Sequence, residues 1–131
     1  MVTRNILITP APDCPSPQAS PPPPRAKPSR ANIEFDILKN APYAIDHKTF
    51  SYQVHVQMAA ISGKPPLTYD AFHQKGQPCM RASPLTKRLG WAAHYDRDGR
   101  LALIDPQGRA FTALAADPDL PQRAALRNRR A

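Results

Sequence analysis

The stretch Trp91–Asp105, WAAHYDRDGRLALID, decides the fold. In an extended chain Trp91, Ala93 and Tyr95 share a face, while Leu101 and Leu103 face opposite to Arg100, Ala102 and Ile104. Between these runs lies Asp96-Arg97-Asp98-Gly99, where Gly99 supplies a positive φ for a four-residue connection. The pattern predicts a β-hairpin, and therefore a sheet at the centre of the fold. Downstream, Pro106-Gln107-Gly108 turns the chain, and Arg109–Ala116 reads as a helix with Phe111, Leu114 and Ala115 on one side.

The hairpin is fed by Cys79–Trp91, CMRASPLTKRLGW, the densest collection of specific chemistry in the chain. Ser83 before Pro84 is a helix start: the serine accepts from free amides, and proline at the first helical position loses nothing. Lys87 and Arg88 suit the last turn, and Gly90 suits a left-handed cap, so a helix of under two turns is expected over Pro84–Leu89.

Farther upstream, Asn5–Thr9, NILIT, reads as a strand ended by Pro10 and Pro12. Residues 10–30 form a proline-rich loop, with Pro21–Pro24 suited to polyproline II. Ala31–Asn40 carries both periods. Ser29 as cap and Ile33, Ile37 and Leu38 on one face favour a helix. Thr49–Ala59, TFSYQVHVQMA, alternates Phe50, Tyr52, Val54, Val56 and Met58 with polar residues and is expected to be a strand with a wet face. Leu67–Lys75 reads as a short helix capped by Thr68 and stopped by Gly76. Asp117–Ala131 is basic and is expected to be a short frayed helix and a mobile tail. The expectation is one α+β domain over residues 1–131. Its small, mainly antiparallel sheet has about four strands, Asn5–Thr9, Thr49–Ala59, Trp91–Tyr95 and Arg100–Ile104, with helices on one face.

The chain has 131 residues, enough for one ordinary domain, and 17 prolines, nine of them before Arg30. Its net charge of +8 favours anionic partners. The excess leans toward residues 66–131, which include the arginine-rich end. Two cysteines, Cys14 and Cys79, make no disulfide framework. No apolar run approaches a membrane span or an export signal, so a cytoplasmic setting with reduced thiols is the expectation, with no membrane partner.

The motif Cys-x-Arg-Ala-Ser-Pro-Leu-Thr-Lys-Arg-x-Gly-Trp at Cys79–Trp91 resembles that of a small, uncharacterised bacterial family, a domain of unknown function. Asp13-Cys14-Pro15 after the first strand and Asn40-x-Pro-Tyr43 after a helix support the resemblance, which runs along nearly the whole chain. Ala92 departs from the glycine that follows the tryptophan in the family. The resemblance implies a helix at Ala31–Asn40 and no activity, substrate or cofactor.

Three functional readings remain open. In the first, Arg81, Ser83, Lys87, Arg88 and Trp91 surround an anion or a protein partner. Ser83 and the free amides after it would meet the anion, with the Arg81 fork beside them. The plainer structural account is that Ser83 only caps, Arg81 pairs with an acid and Trp91 is core. In the second, Cys79 is a thiolate nucleophile activated by neighbouring cations, with His94 as its base. A small buried free cysteine is the ordinary alternative. In the third, Arg97, Arg100, Arg123, Arg127, Arg129 and Arg130 give weak, nonspecific nucleic-acid binding. No ligand spacing for a metal and no nucleotide-binding loop is present, so no cofactor is expected. The leading expectation is a non-catalytic cytoplasmic binding protein working through Cys79–Trp91. Cys14 and Cys79 are expected to be neighbours, reduced, with Cys79 the more reactive.

Overall fold

A computed structural model describes residues 3–129. The elements run β1 (Ile6–Thr9), α1 (Arg30–Leu38), α2 (His47–Ile61), α3 (Tyr69–His73), a single 3-10 turn (Met80–Ala82), α4 (Pro84–Lys87), β2 (Ala92–Tyr95), β3 (Leu101–Ile104), α5 (Arg109–Ala116) and β4 (Gln122–Ala124). The fold is α+β, with a four-stranded, mostly antiparallel sheet in the order β3-β2-β1-β4.

The hairpin forms as its pattern predicts: β2 and β3 pair antiparallel, Ala93 opposite Leu103 and Tyr95 opposite Leu101. Gly99 takes φ +83°, and the Asp96 carboxylate accepts from the amides of Asp98 and Arg100, which closes the turn. On the other edge of β2, β1 pairs antiparallel, Ile6 opposite Tyr95 and Ile8 opposite Ala93. Period two then sends Ile6, Ile8, Ala93, Tyr95 and Leu101 into one core with α1 and α2, and Leu7, Ala92, Ala102 and Ile104 into a second. The second core is covered by Phe111, Leu114 and Ala115 of α5, so helices lie on both faces of the sheet, not on one.

The expected strand Thr49–Ala59 is instead the middle of α2. Phe50, Val54 and Met58 are four apart, so they serve a helix face as well as an alternating strand. Tyr52 and Val56, the rest of the alternation, fall on another side of the helix. There Tyr52 packs edge-on against Tyr69 and Phe72 around α3. The deciding local signal is Asp46, whose carboxylate accepts from the Thr49 amide and caps the helix.

The fourth strand comes from the other end of the chain. Where a frayed helix is expected after Asp117, β4 pairs parallel to β1, Leu7 opposite Gln122 and Thr9 opposite Ala124. Arg81 donates its Nε–H to the Ala124 carbonyl at 2.8 Å, and the Leu126 amide donates to the Arg81 carbonyl. Asp13 then accepts from the backbone amides of Asn128 and Arg129. Arg130 and Ala131, the end of the expected mobile tail, lie outside the described residues.

The proline-rich loop is tied down at several points. The Trp91 indole donates to the Ser20 carbonyl at 2.8 Å, the Ser20 amide donates to Leu89, and Asn32 donates to Pro23.

Candidate functional site

The helix start at Ser83-Pro84 forms as expected: Ser83 accepts from the Leu85 amide, and Pro84 opens α4. Its hydroxyl proton, however, goes to Glu34 of α1, 2.7 Å away. The chain's own carboxylate therefore holds the position foreseen for an external anion. Glu34 is 5% exposed, and burial is the main cause that holds its carboxyl above the usual range, against the opposing pull of the Ser83 hydrogen bond.

Glu34 and Ser83 belong to the wall of a cleft of about 370 Å³ between α1, α2 and the segment Gln77–Ser83. From α2, His47, Ser51, Val54 and Met58 line it, at spacings of four, three and four residues that share one helix face. Cys79 and Met80 are buried against it, and Arg30, the exposed first residue of α1, stands at its edge.

The polar groups behind this wall fix one another. The Met80 amide donates to the Tyr95 phenol oxygen at 3.1 Å, and that phenol bonds His47 Nδ1 at 2.8 Å. His47 Nε2 lies 2.9 Å from the Pro78 carbonyl and 3.1 Å from the Ser51 hydroxyl. A carbonyl only accepts, so Nε2 carries the proton, Nδ1 accepts, and the Tyr95 phenol is the donor to it. Both nitrogens of His47 are thus used. Burial drives its pKa below the ordinary histidine value, partly opposed by the Pro78 carbonyl. Burial also pushes the Tyr95 phenol strongly upward, so it stays protonated.

The residues singled out from sequence divide. Cys79 and Ser83 reach the cleft; Arg81, Lys87, Arg88 and Trp91 do not line it. Cys79 is 4% exposed and its sulfur accepts from the Arg81 amide at the start of the 3-10 turn. Arg81 is spent on β4, and Trp91 packs on Phe35 with ring centroids 5.6 Å apart. Lys87 holds the C-terminal segment through its carbonyl, which accepts from Asn128, and Arg88 is exposed beside Asp13 and Arg129.

His94 is on the wrong face for Cys79. Its neighbours on β2, Ala93 and Tyr95, face the core that contains Cys79, so period two turns His94 toward the α5 side. There its Nδ1 bonds the Tyr43 hydroxyl at 2.7 Å. Tyr43 itself holds φ +58°, a left-handed backbone position. The cysteines are free, and Cys14 packs at the edge of the core that buries Cys79.

Glu34, His47 and Ser51 are the site residues that sequence reading passed over. The signal for the latter pair was the Asp46 cap: once Asp46 starts a helix, His47, Ser51, Val54 and Met58 fall on one stripe. Glu34 announces itself only as a carboxylate between Ile33 and Phe35 on a helix that must bury a face.

Among the described residues no group of three or more His, Cys, Asp or Glu side chains is placed to hold a metal, and no helix is long and apolar enough to cross a membrane. No curated protein and no solved structure matches the chain. One family model does, over residues 1–131, in agreement with the resemblance read at Cys79–Trp91: the chain belongs to the family of unknown function DUF6157.

Proposed function

We propose that the chain is a small-ligand-binding protein whose site is the cleft between α1 and α2, and that it holds its ligand without transforming it. One observation carries this reading: the cleft gathers Glu34, His47, Ser51 and Ser83 into one concavity, beside the apolar side chains of Phe50, Val54, Met58, Phe72 and Met80. A volume of about 370 Å³ falls in the range of small-molecule sites, where a few placed polar groups on apolar walls set orientation. Binding is favoured over thiol catalysis because His47 has no free nitrogen to take a proton from Cys79. The Cys79–Ser83 half of the motif contributes the floor. Its cations serve elsewhere, and the one arginine at the cleft, Arg30, stands at its exposed edge, while the buried charged group inside is Glu34.

Amide NMR of the labelled protein tests the proposal, using a panel of small aliphatic and aromatic amines, alcohols and carboxylates. Shifts should cluster on Glu34, Ser51, Met80 and Ser83 and disappear in Ser51→Phe, which fills the cleft. Shifts that survive the substitution would place binding elsewhere.

A second reading rests on Arg97, Arg100, Arg123, Arg127 and Arg129. All are exposed, and none forms an ion pair among the described residues. They support weak, nonspecific polyanion binding. Anisotropy with a labelled DNA duplex should show micromolar, steeply salt-dependent affinity without sequence preference.

A further inference from the structure

We infer that the ligand of this cleft is an organic cation, a primary ammonium on a small apolar body, received by the Glu34 carboxylate. The inference rests on the proposed cleft site and names its ligand class. Glu34 is 95% buried by its 5% exposure, yet only one of its oxygens, Oε1, has a partner in the protein, the Ser83 hydroxyl. Among the described residues no side-chain oxygen or nitrogen that is sealed from solvent lacks a hydrogen bond. The unpartnered Oε2 is therefore not sealed. Glu34 lines the cleft, and the cleft is the opening assigned to Oε2. Ser83 holds the carboxylate plane in place, so a lone pair is presented to whatever enters.

Among the described residues no donor is bonded to this second oxygen. Ser83 has given its proton to Oε1 already. His47 has its N–H at Nε2, between the Pro78 carbonyl at 2.9 Å and the Ser51 hydroxyl at 3.1 Å. Arg30 stands at the edge of the cleft and forms no ion pair with Glu34 among the described residues. A buried carboxylate with one open oxygen lacks a donor, and an ammonium supplies one together with the opposite charge. The walls suit the same guest. Phe50 is buried at the cleft, and Phe72 lines it stacked on His55 with centroids 4.6 Å apart. Aromatic faces beside a carboxylate attract organic cations and cover their hydrocarbon parts. A neutral alcohol would use the hydrogen bond but not the charge, and a carboxylate would meet repulsion from Glu34.

Phenethylamine, 2-phenylethanol and 3-phenylpropionate have nearly equal bodies and differ at the head group. Amide NMR titration of the full chain at pH 7 should give the amine an affinity at least ~10-fold above the other two, since charge-assisted hydrogen bonds are roughly twice as strong as neutral ones. Its shifts should centre on Glu34 and Ser83. In Glu34→Gln, which keeps an acceptor for Ser83, the amine should lose about that factor and the alcohol little. If the alcohol or the propionate binds in the cleft as tightly as the amine, or the amine is indifferent to Glu34→Gln, the cation inference fails while the cleft site stands. If none of the three shifts cleft amides, both fail. The wild-type comparison decides the matter even if the variant does not fold.

Discussion

Ser83 and Glu34, 49 positions apart, share one proton across 2.7 Å and join the start of α4 to the middle of α1. The hydroxyl does two jobs at once, since its oxygen also accepts from the Leu85 amide. Ser83→Ala should therefore cost more than a lost cap. The cap is worth about 1 kcal/mol, and stripping a buried carboxyl of its donor adds about 1–3 kcal/mol. Urea unfolding should show a total loss of about 2–4 kcal/mol, and Ser83→Thr should recover part of it. A loss confined to the cap value would mean that Glu34 gains nothing from the hydroxyl.

Stability should fall on mild acidification. His47 and His94 both have pKa values lowered from 6.5, chiefly by burial. Each takes up a proton more readily when unfolded, so its contribution is complete above 6.5 and is lost as pH falls through the folded value. Glu34 acts in the opposite sense. Its pKa is raised from 4.5, so its contribution is complete below 4.5 and is lost as pH rises through the folded value. Denaturant midpoints at pH 7.5, 6.5 and 5.5 should decline, with a smaller decline in His47→Gln. A midpoint that rises on acidification would put Glu34 in control and defeat the prediction.

What the sequence made legible was whatever depended on neighbours in the chain. The hairpin, the Ser83-Pro84 start and α5 were all specified by residues within a few positions of one another. Thr49–Ala59 was misread because Phe50, Val54 and Met58 satisfy periods of two and of nearly four alike. What broke the tie was Asp46, outside the alternating window. Gln122–Ala124 could not be read as a strand at all. Gln122 and Arg123 are exposed and Ala124 only half-buried, so no alternation marks them. The strand exists because β1 offers an edge and Arg81 offers a donor, both far away in sequence. The cleft was hidden for the same reason: His47 and Glu34 became site residues only when α2 was laid against α1.

The thiols should react in the order opposite to that expected from their flanking charges. Cys79 is followed in sequence by cations, but it is 4% exposed and its sulfur accepts from the Arg81 amide. Cys14 is half-buried, with its thiol donating weakly to the Ser16 carbonyl at 3.5 Å. Access outweighs charge when a reagent must reach the sulfur. Iodoacetamide followed by mass spectrometry should label Cys14 first and Cys79 only on longer exposure. Phenethylamine at saturating concentration should slow Cys79 further and leave Cys14 unchanged. Faster labelling of Cys79 would restore the case for a reactive thiol at the cleft.

Of the five glycines, Gly90 leaves the least room for a side chain. It holds φ +81°, which the expected left-handed cap requires. It also lies against the proline-rich loop: a Cβ built there would sit 2.7 Å from the Gln18 carbonyl carbon and closer still to its oxygen. These are backbone atoms in a loop pinned on either side of Gly90, by the Ser20 amide on Leu89 and the Trp91 indole on Ser20. The loop cannot retreat without breaking those bonds. Gly90→Ala should thus incur left-handed strain of about 1–2 kcal/mol and an overpacking cost of about 1–3 kcal/mol. Gly76→Ala is the matched control, because nothing lies within 4 Å of its Cβ and its φ is not left-handed. It should change stability by no more than about 0.5 kcal/mol. Thermal unfolding of both variants, with Trp91 fluorescence as a local readout, tests the point. If Gly90→Ala melts with the wild type and Trp91 keeps its emission, the proline-rich loop is not seated on this glycine.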